Sequence, residues 1–134
     1  MSEKIQKLTK AEEEIMQIIW KLEKAFLKDI MAEVNKDKDK DKEMKQSTVS
    51  TMVRLLMDKE FVSYEAFGKS YRYYPLIPKS AYAKFYFDNF LGRYFDGSFK
   101  RLLSFFHAEG ELRLEDVNQI MESLEDSDDQ AAQS

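Results

Sequence analysis

The sequence predicts a mainly α fold in two parts, and three observations carry that prediction. Apolar residues recur at helical spacing in three short segments before residue 60. The period then changes to two over residues 61–75. Beyond Pro78 the helical spacing returns, now with aromatic side chains around most of the helix.

The first helix is signalled at its start. Thr9 stands three residues before Glu12, the spacing of a capping box in which each side chain satisfies the other's free backbone amide. Ile15, Ile18, Ile19 and Leu22 then mark one face, widened by Met16 and Trp20, so a helix is expected over 10–22. Leu27, Ile30, Met31 and Val34 repeat the pattern in a second, shorter helix. Residues 36–43 alternate Lys with acids and hold nothing apolar, which predicts a solvated, mobile loop. The interleaved acids cancel most of the attraction its lysines would have for phosphate. Val49, Met52, Val53 and Leu56 give the helical spacing a third time, in a helix expected over 47–59 with Ser47 as its cap.

Val62, Tyr64 and Ala66 then alternate with Ser63 and Glu65, a turn follows at 67–70, and Tyr71 and Tyr73 resume the alternation up to Pro75. This is a β-hairpin. Three short helices followed by a hairpin is the order of a winged helix-turn-helix, expected here over residues 1–76.

Pro78 and Ser80 open a fourth helix carrying Tyr82, Phe85, Tyr86, Phe87, Phe90, Leu91, Tyr94 and Phe95. A helix apolar over so much of its circumference must be covered from two sides. Asp96, Gly97 and Ser98 break it, Phe99, Leu102, Leu103 and Phe106 mark the next helix, Gly110 stops that one, and Val117, Ile120, Met121 and Leu124 mark the last. With ten Phe, seven Tyr and one Trp, the chain holds more aromatic surface than a small monomer's core readily buries. Residues 77–125 are therefore expected to form an all-helical dimerisation arm, with Tyr82, Phe85, Tyr86, Phe90, Tyr94, Phe99, Leu102, Leu103, Phe106, Ile120 and Leu124 in the interface. Residues 126–134 are polar and are expected to be an unstructured acidic tail.

The net charge of −4 hides an asymmetry. Residues 109–134 hold nine acids and one base, whereas residues 1–108 hold 20 bases and 16 acids. The front of the chain can therefore attract phosphate although the whole is acidic. There is no cysteine, which excludes a disulfide scaffold and thiolate metal sites and fits a reducing compartment. No run approaches the roughly 20 apolar residues of a membrane span, and the first residues lack a signal peptide's apolar core, so the expected place is the cytoplasm without membrane insertion.

The third helix carries the chemistry. With Val49, Met52, Val53 and Leu56 inward, Ser47, Ser50, Thr51, Arg54 and Asp58 face outward. Short hydroxyl side chains let a helix backbone approach base edges in the major groove, and Arg can bond guanine in a bidentate way. Lys45 and Thr48 lie at the amino end, where the helix dipole favours phosphate. Lys69, Ser70 and Arg72 sit at the hairpin tip, where contacts to phosphate position a protein rather than specify sequence. Nothing in the sequence motivates an enzyme, a cofactor or a metal: His107 is the lone histidine and sits beside Phe105 and Phe106 without a nucleophile pattern, and the four glycines are isolated. The expected function is a sequence-specific DNA-binding repressor. A protein-interaction adaptor built on the same fold competes with it, favoured modestly by the acidic end and the negative net charge.

Two of these segments, with the returning hairpin strand at 71–75, resemble the BlaI/MecI/CopY-type repressors, the penicillinase-repressor family. Residues 8–20, LTKAEEEIMQIIW, are similar to that family's opening helix with its E-x-x-(V/I)-M-x-I-(I/V)-W run. Residues 48–56, TVSTMVRLL, are similar to its recognition helix. The resemblance implies a homodimer on a palindromic operator, with one winged helix on each half-site and the C-terminal helices interlocked. It also implies derepression through a membrane sensor-protease pathway ending in cleavage within the second arm helix, where the matching bond is Phe105-Phe106. The copper-responsive members carry a C-terminal Cys motif, which this chain lacks. One departure concerns structure: where the family usually has a Lys-Gly-like pair before the wing, this chain has Lys59-Glu60, so the third helix must end differently.

Overall fold

The first helix, α1 (Lys10–Leu22), begins where its capping box requires. The Glu12 amide donates to Thr9 Oγ1 at 3.2 Å, and the Thr9 amide donates to Glu12 Oε1 at 2.8 Å. The computed structural model describes the backbone of residues 5–133 and the side chains of residues 5–123. Within that range α1 is followed by β1 (Ala25–Phe26), α2 (Leu27–Asn35), α3 (Gln46–Asp58), β2 (Val62–Phe67), β3 (Ser70–Pro75), α4 (Lys79–Tyr94), α5 (Phe99–Ala108) and α6 (Leu114–Gln133). The strands form one antiparallel sheet in the order β1-β3-β2, with Tyr64 opposite Tyr73 and Glu65 opposite Arg72. Gly68 opens the two-residue turn between β2 and β3 with φ +62°, the first position of a type II′ hairpin turn, where glycine is favoured. The sequence pattern does not announce β1, since two residues are too few to show a period.

The chain divides into two compact units, the first reaching Phe85. Its core is built from the predicted faces: Ile15, Ile19, Ile30, Val49, Leu56 and Phe61 are fully buried. Each such side chain contributes roughly 1.5–3 kcal/mol relative to leaving it in water. The boundary differs from the expected residue 76, because the start of α4 is part of this core. Trp20 Nε1 donates to the Ile77 carbonyl at 2.8 Å. Tyr82 is 4% exposed, its ring lies 5.5 Å from Phe61 and 5.9 Å from Trp20, and its hydroxyl accepts from the Leu8 amide at 2.9 Å. Tyr82 was expected in a subunit interface; the structure spends it inside its own chain instead. Phe85, 5.7 Å from Tyr82, packs partly against the same core.

The Lys/Asp loop is better tied than its composition suggests. Asn35 Nδ2 donates to the Met44 carbonyl at 3.1 Å, and the Met44 amide donates back to Asn35 Oδ1 at 2.7 Å, closing the loop at its neck. Between them a single 3-10 turn spans Lys40–Lys42, and Lys38 pairs with Glu14 at 2.9 Å.

The second unit begins at Tyr86. Ser98 caps α5 by accepting from the Arg101 amide at 3.1 Å. At the other end Gly110, at φ +81°, lets the Glu111 amide reach the Phe106 carbonyl at 2.9 Å. His107 is exposed, and its Nδ1 donates to the Leu112 carbonyl at 2.9 Å, holding the turn into α6. Leu91, Leu102 and Leu103 are the buried apolar side chains described in this unit. Of the expected interface positions, Leu102 and Leu103 are thus already covered by their own chain, Phe99 and Ile120 are half-buried, and Tyr86, Phe90, Tyr94 and Phe106 are exposed. Leu124 lies outside the described side chains. The α6 backbone continues through residues 126–133, where the sequence pattern predicted no element; no Gly or Pro interrupts that stretch. Residue 134 lies outside the described range.

Candidate nucleic-acid interface

α3 turns Ser47, Thr48, Ser50 and Arg54 to solvent while Val49, Val53 and Leu56 are buried. This is the face expected from the spacing, with two corrections. Thr51 is half-buried and its Oγ1 donates to the Ser47 carbonyl at 2.9 Å, so its hydroxyl proton is used on its own helix. Ser47 does not cap the helix either. The helix starts at Gln46, and Lys45 is the cap residue, contributing no side-chain bond. The Thr48 and Val49 amides both donate to the Lys45 carbonyl, at 3.0 and 3.1 Å.

The two long amphipathic helices of this unit therefore begin in opposite ways. α1 has both halves of its capping box and two acids, Glu12 and Glu13, in its first turn. α3 has no capping side chain and no acid in its first turn. The positive end of its dipole is left uncompensated, which suits an external anion such as phosphate.

The far end of α3 is fixed. The Glu60 amide donates to the Met57 carbonyl at 3.0 Å and the Phe61 amide to the Leu56 carbonyl at 2.9 Å, the two bonds of a Schellman motif. Glu60 holds the left-handed position at φ +64°, a conformation that glycine adopts more readily. Beside it Lys59 Nζ lies 2.6 Å from Glu12 Oε1, and Glu12 is 3% exposed. Burial pushes the Glu12 carboxyl up, but the Lys59 ammonium and the Thr9 amide and hydroxyl more than offset this, so it titrates below its ordinary value. One carboxylate thus caps α1 and anchors the end of α3, which holds the exposed face in place.

The wing contains both a free and an engaged base. Lys69 and Ser70 are exposed at its turn. Arg72, expected to touch phosphate, bonds Glu65 across the strands at 2.9 Å and lies 4.6 Å from the Phe67 ring centroid. Glu65 also lies 3.8 Å from Lys24. The Arg72 bond, more than the burial opposing it, holds the Glu65 carboxyl below its ordinary range. Arg72 is a wing-building residue, because the register places an acid directly opposite it.

A groove of about 590 Å³ runs between the first turn of α2, the start of α3 and the wing. It gathers Lys69 and Ser70 from the expected set, and adds Lys28 and Gln46, which the sequence did not single out. Lys45, Arg54 and Arg72 are not among its lining residues. No local signal marks Lys28, a surface Lys on a short helix; only the tertiary fold carries it to the wing. Among the described residues, Lys28, Lys45, Arg54 and Lys69 have no carboxylate partner, while Lys21, Lys24, Lys38, Lys59 and Arg72 do.

An uncapped helix with a hydroxyl-and-Arg face, flanked by unpaired bases and a wing, is an arrangement for binding a nucleic acid. Residues 8–126 match the family described as penicillinase repressor. The chain belongs to the penicillinase repressor family. Similar proteins include the penicillinase repressor of Bacillus licheniformis, 26% identical over 123 residues that cover 92% of this chain and 93% of that relative. The methicillin resistance regulatory protein MecI of Staphylococcus aureus (strain N315) is 26% identical over 124 residues, covering 92% of this chain and 98% of MecI. Among solved structures, the DNA-binding domain of the repressor BlaI aligns with a TM-score of 0.50 at 27% identity, covering 60% of this chain and 94% of that domain. In this family member α1 and α3 are the helices that carry the two resemblance segments, 8–20 and 48–56. Among the described residues no helix is long and apolar enough to cross a membrane.

Proposed function

We propose that this chain is a sequence-specific DNA-binding transcriptional repressor that acts as a homodimer on a palindromic operator in the cytoplasm. The observation that carries the reading is α3: a solvent-facing Ser47, Ser50 and Arg54 beside an uncapped, acid-free amino end. α3 enters the major groove, Arg54 bonds a base edge, and Lys45 and Lys69 meet phosphates on either side. The names of the relatives, a penicillinase repressor and a resistance regulatory protein, and of the BlaI fragment, the DNA-binding domain of a repressor, support the same reading.

The homodimer is supported by surface that the second unit leaves open. Tyr94 is 69% exposed and Phe105 47%, in a chain of ring contacts that runs through Phe90 and Phe95. A second copy covering this surface would remove it from water. Derepression by a sensor-protease pathway is proposed at Phe105-Phe106 on α5, where both rings are exposed. Cleavage there needs the last turn of α5 to open first, since a protease binds an extended chain.

The test is Arg54→Ala against the DNA upstream of the protein's own gene. The substitution is expected to lower operator affinity by about 1–3 kcal/mol and to relax the preference at one base position per half-site. Unchanged affinity and preference would overturn the orientation of α3. Failure of the unaltered protein to shift that DNA at moderate salt would instead favour the adaptor.

A further inference from the structure

We propose that the groove beside the wing holds the sugar–phosphate backbone of duplex DNA, with Lys28 on α2 and Lys69 on the wing neutralising phosphates and Gln46 bonding between them. The proposal rests on the DNA-binding reading and extends its footprint to α2, to which that reading gives no contact.

Charge selects the occupant. Lys28 and Lys69 line the groove, neither has a carboxylate partner, and none of the lining residues is acidic. An anion is therefore favoured, and the uncharged polar groups of the lining, from Gln46 and Ser70, suit phosphate and sugar oxygens. The rings of the lining pack against their neighbours. Tyr71 is 4.4 Å from Tyr64, and Phe67 is 5.9 Å edge-on from Phe26 with the Arg72 guanidinium 4.6 Å from its centroid. Those rings pair with one another, while Phe67 and Tyr71 remain 47% and 46% exposed to the groove side and solvent. What remains is an apolar floor that a deoxyribose can rest against while the two ammonium groups take its phosphates.

A Lys–phosphate contact has a signature that a structural role lacks. Each phosphate neutralised adds about −0.9 to the slope of log affinity against log salt, and it adds this whatever the sequence. The experiment titrates the full-length protein with its upstream operator duplex and with a scrambled duplex of equal length, from low to moderate potassium chloride. Lys28→Ala is expected to make the slope less negative by about 2 for a dimer, with an equal loss on both duplexes. Gln46→Ala is expected to weaken both by roughly two- to tenfold, the loss of one uncharged hydrogen bond, with the slope unchanged. Lys10→Ala is the control, because Lys10 opens α1 near Glu12, which contacts the opposite end of α3; its slope should equal that of the unaltered protein. If Lys28→Ala keeps the full slope, or loses affinity for the operator alone, the groove is not a backbone site. If the unaltered protein binds neither duplex, the DNA-binding reading itself fails, a result distinct from an unchanged Lys28→Ala slope.

Discussion

The two units solve the burial of apolar surface differently. In the winged-helix unit the helical faces converge on one closed core, and Phe61, Ile15, Ile19, Ile30 and Leu56 have essentially no contact with solvent. In the second unit Leu91, Leu102 and Leu103 are buried, while Tyr86, Phe87, Phe90, Tyr94, Phe105 and Phe106 stay at least 36% exposed. The second carries an exposed apolar surface, of the kind that marks an interaction site. The hydroxyl-and-Arg face of α3 lies in the first unit and the open aromatic surface in the second, so the proposed DNA reading and the proposed assembly can be perturbed separately.

The largest expected effect follows from that separation. Tyr94 is the most exposed of the aromatic side chains in the second unit. On a monomer's surface, Tyr94→Lys should change stability by less than about 0.5 kcal/mol. In a dimer interface it should cost about 2 kcal/mol or more of association. Sedimentation at micromolar concentration is expected to show the unaltered protein as a dimer and the variant shifted to monomer. Equal sedimentation of the two would remove the contrast between the units.

The next effect lies inside the winged-helix unit. Glu12 carries a depressed pKa when folded, so the stability it supplies is fully present above the ordinary carboxylate value of 4.5 and is lost as the pH falls through the lower folded value. Glu12→Gln keeps an acceptor for the Thr9 amide but loses the charge facing Lys59. It should cost about 1.5–3 kcal/mol near neutral pH, the range for a charged hydrogen bond. The cost should shrink as the pH drops below 4.5, read from urea melts at several pH values. A cost independent of pH would show that the pair contributes nothing as a charge.

The smallest effect has the opposite sign. Glu60 occupies a left-handed helix-ending position that Gly110 fills in the same motif after α5. Glu60→Gly should stabilise the chain by up to about 1 kcal/mol by relieving that conformation. A destabilised variant would mean that the Glu60 side chain supports the helix end in some way its backbone geometry does not reveal.

Periodicity explains what could be read from the sequence. α1, α2, α3 and the hairpin each repeat an apolar pattern over several residues, and Thr9 with Glu12 announced the start of α1 to the residue. Several of the misses share a cause, since each depends on a neighbour distant in sequence. Ser47 has the chemistry of a cap, but the helix begins one residue earlier, with Val49 and Leu56 packed into the core. Pro75 and Pro78 punctuate the chain like a linker, yet Ile77 and Tyr82 are tied to Trp20 and Leu8, some 57 and 74 residues away. Whether a base is free or paired is equally a tertiary matter. Arg72 and Lys28 look alike in sequence, but strand register puts Glu65 opposite one, and the fold carries the other to an acid-free groove.

On the proposed function, α3 reads DNA and two copies read it together. Fluorescence anisotropy with three duplexes of equal length measures this directly: the palindrome upstream of the protein's own gene, one half-site, and a scrambled sequence. The expected result is two protomers on the palindrome, with affinity for it at least 10³-fold above the scrambled duplex at physiological salt, about the lower end for specific binding, and weaker binding to the half-site. Equal affinity for all three duplexes would mean that α3 does not read sequence.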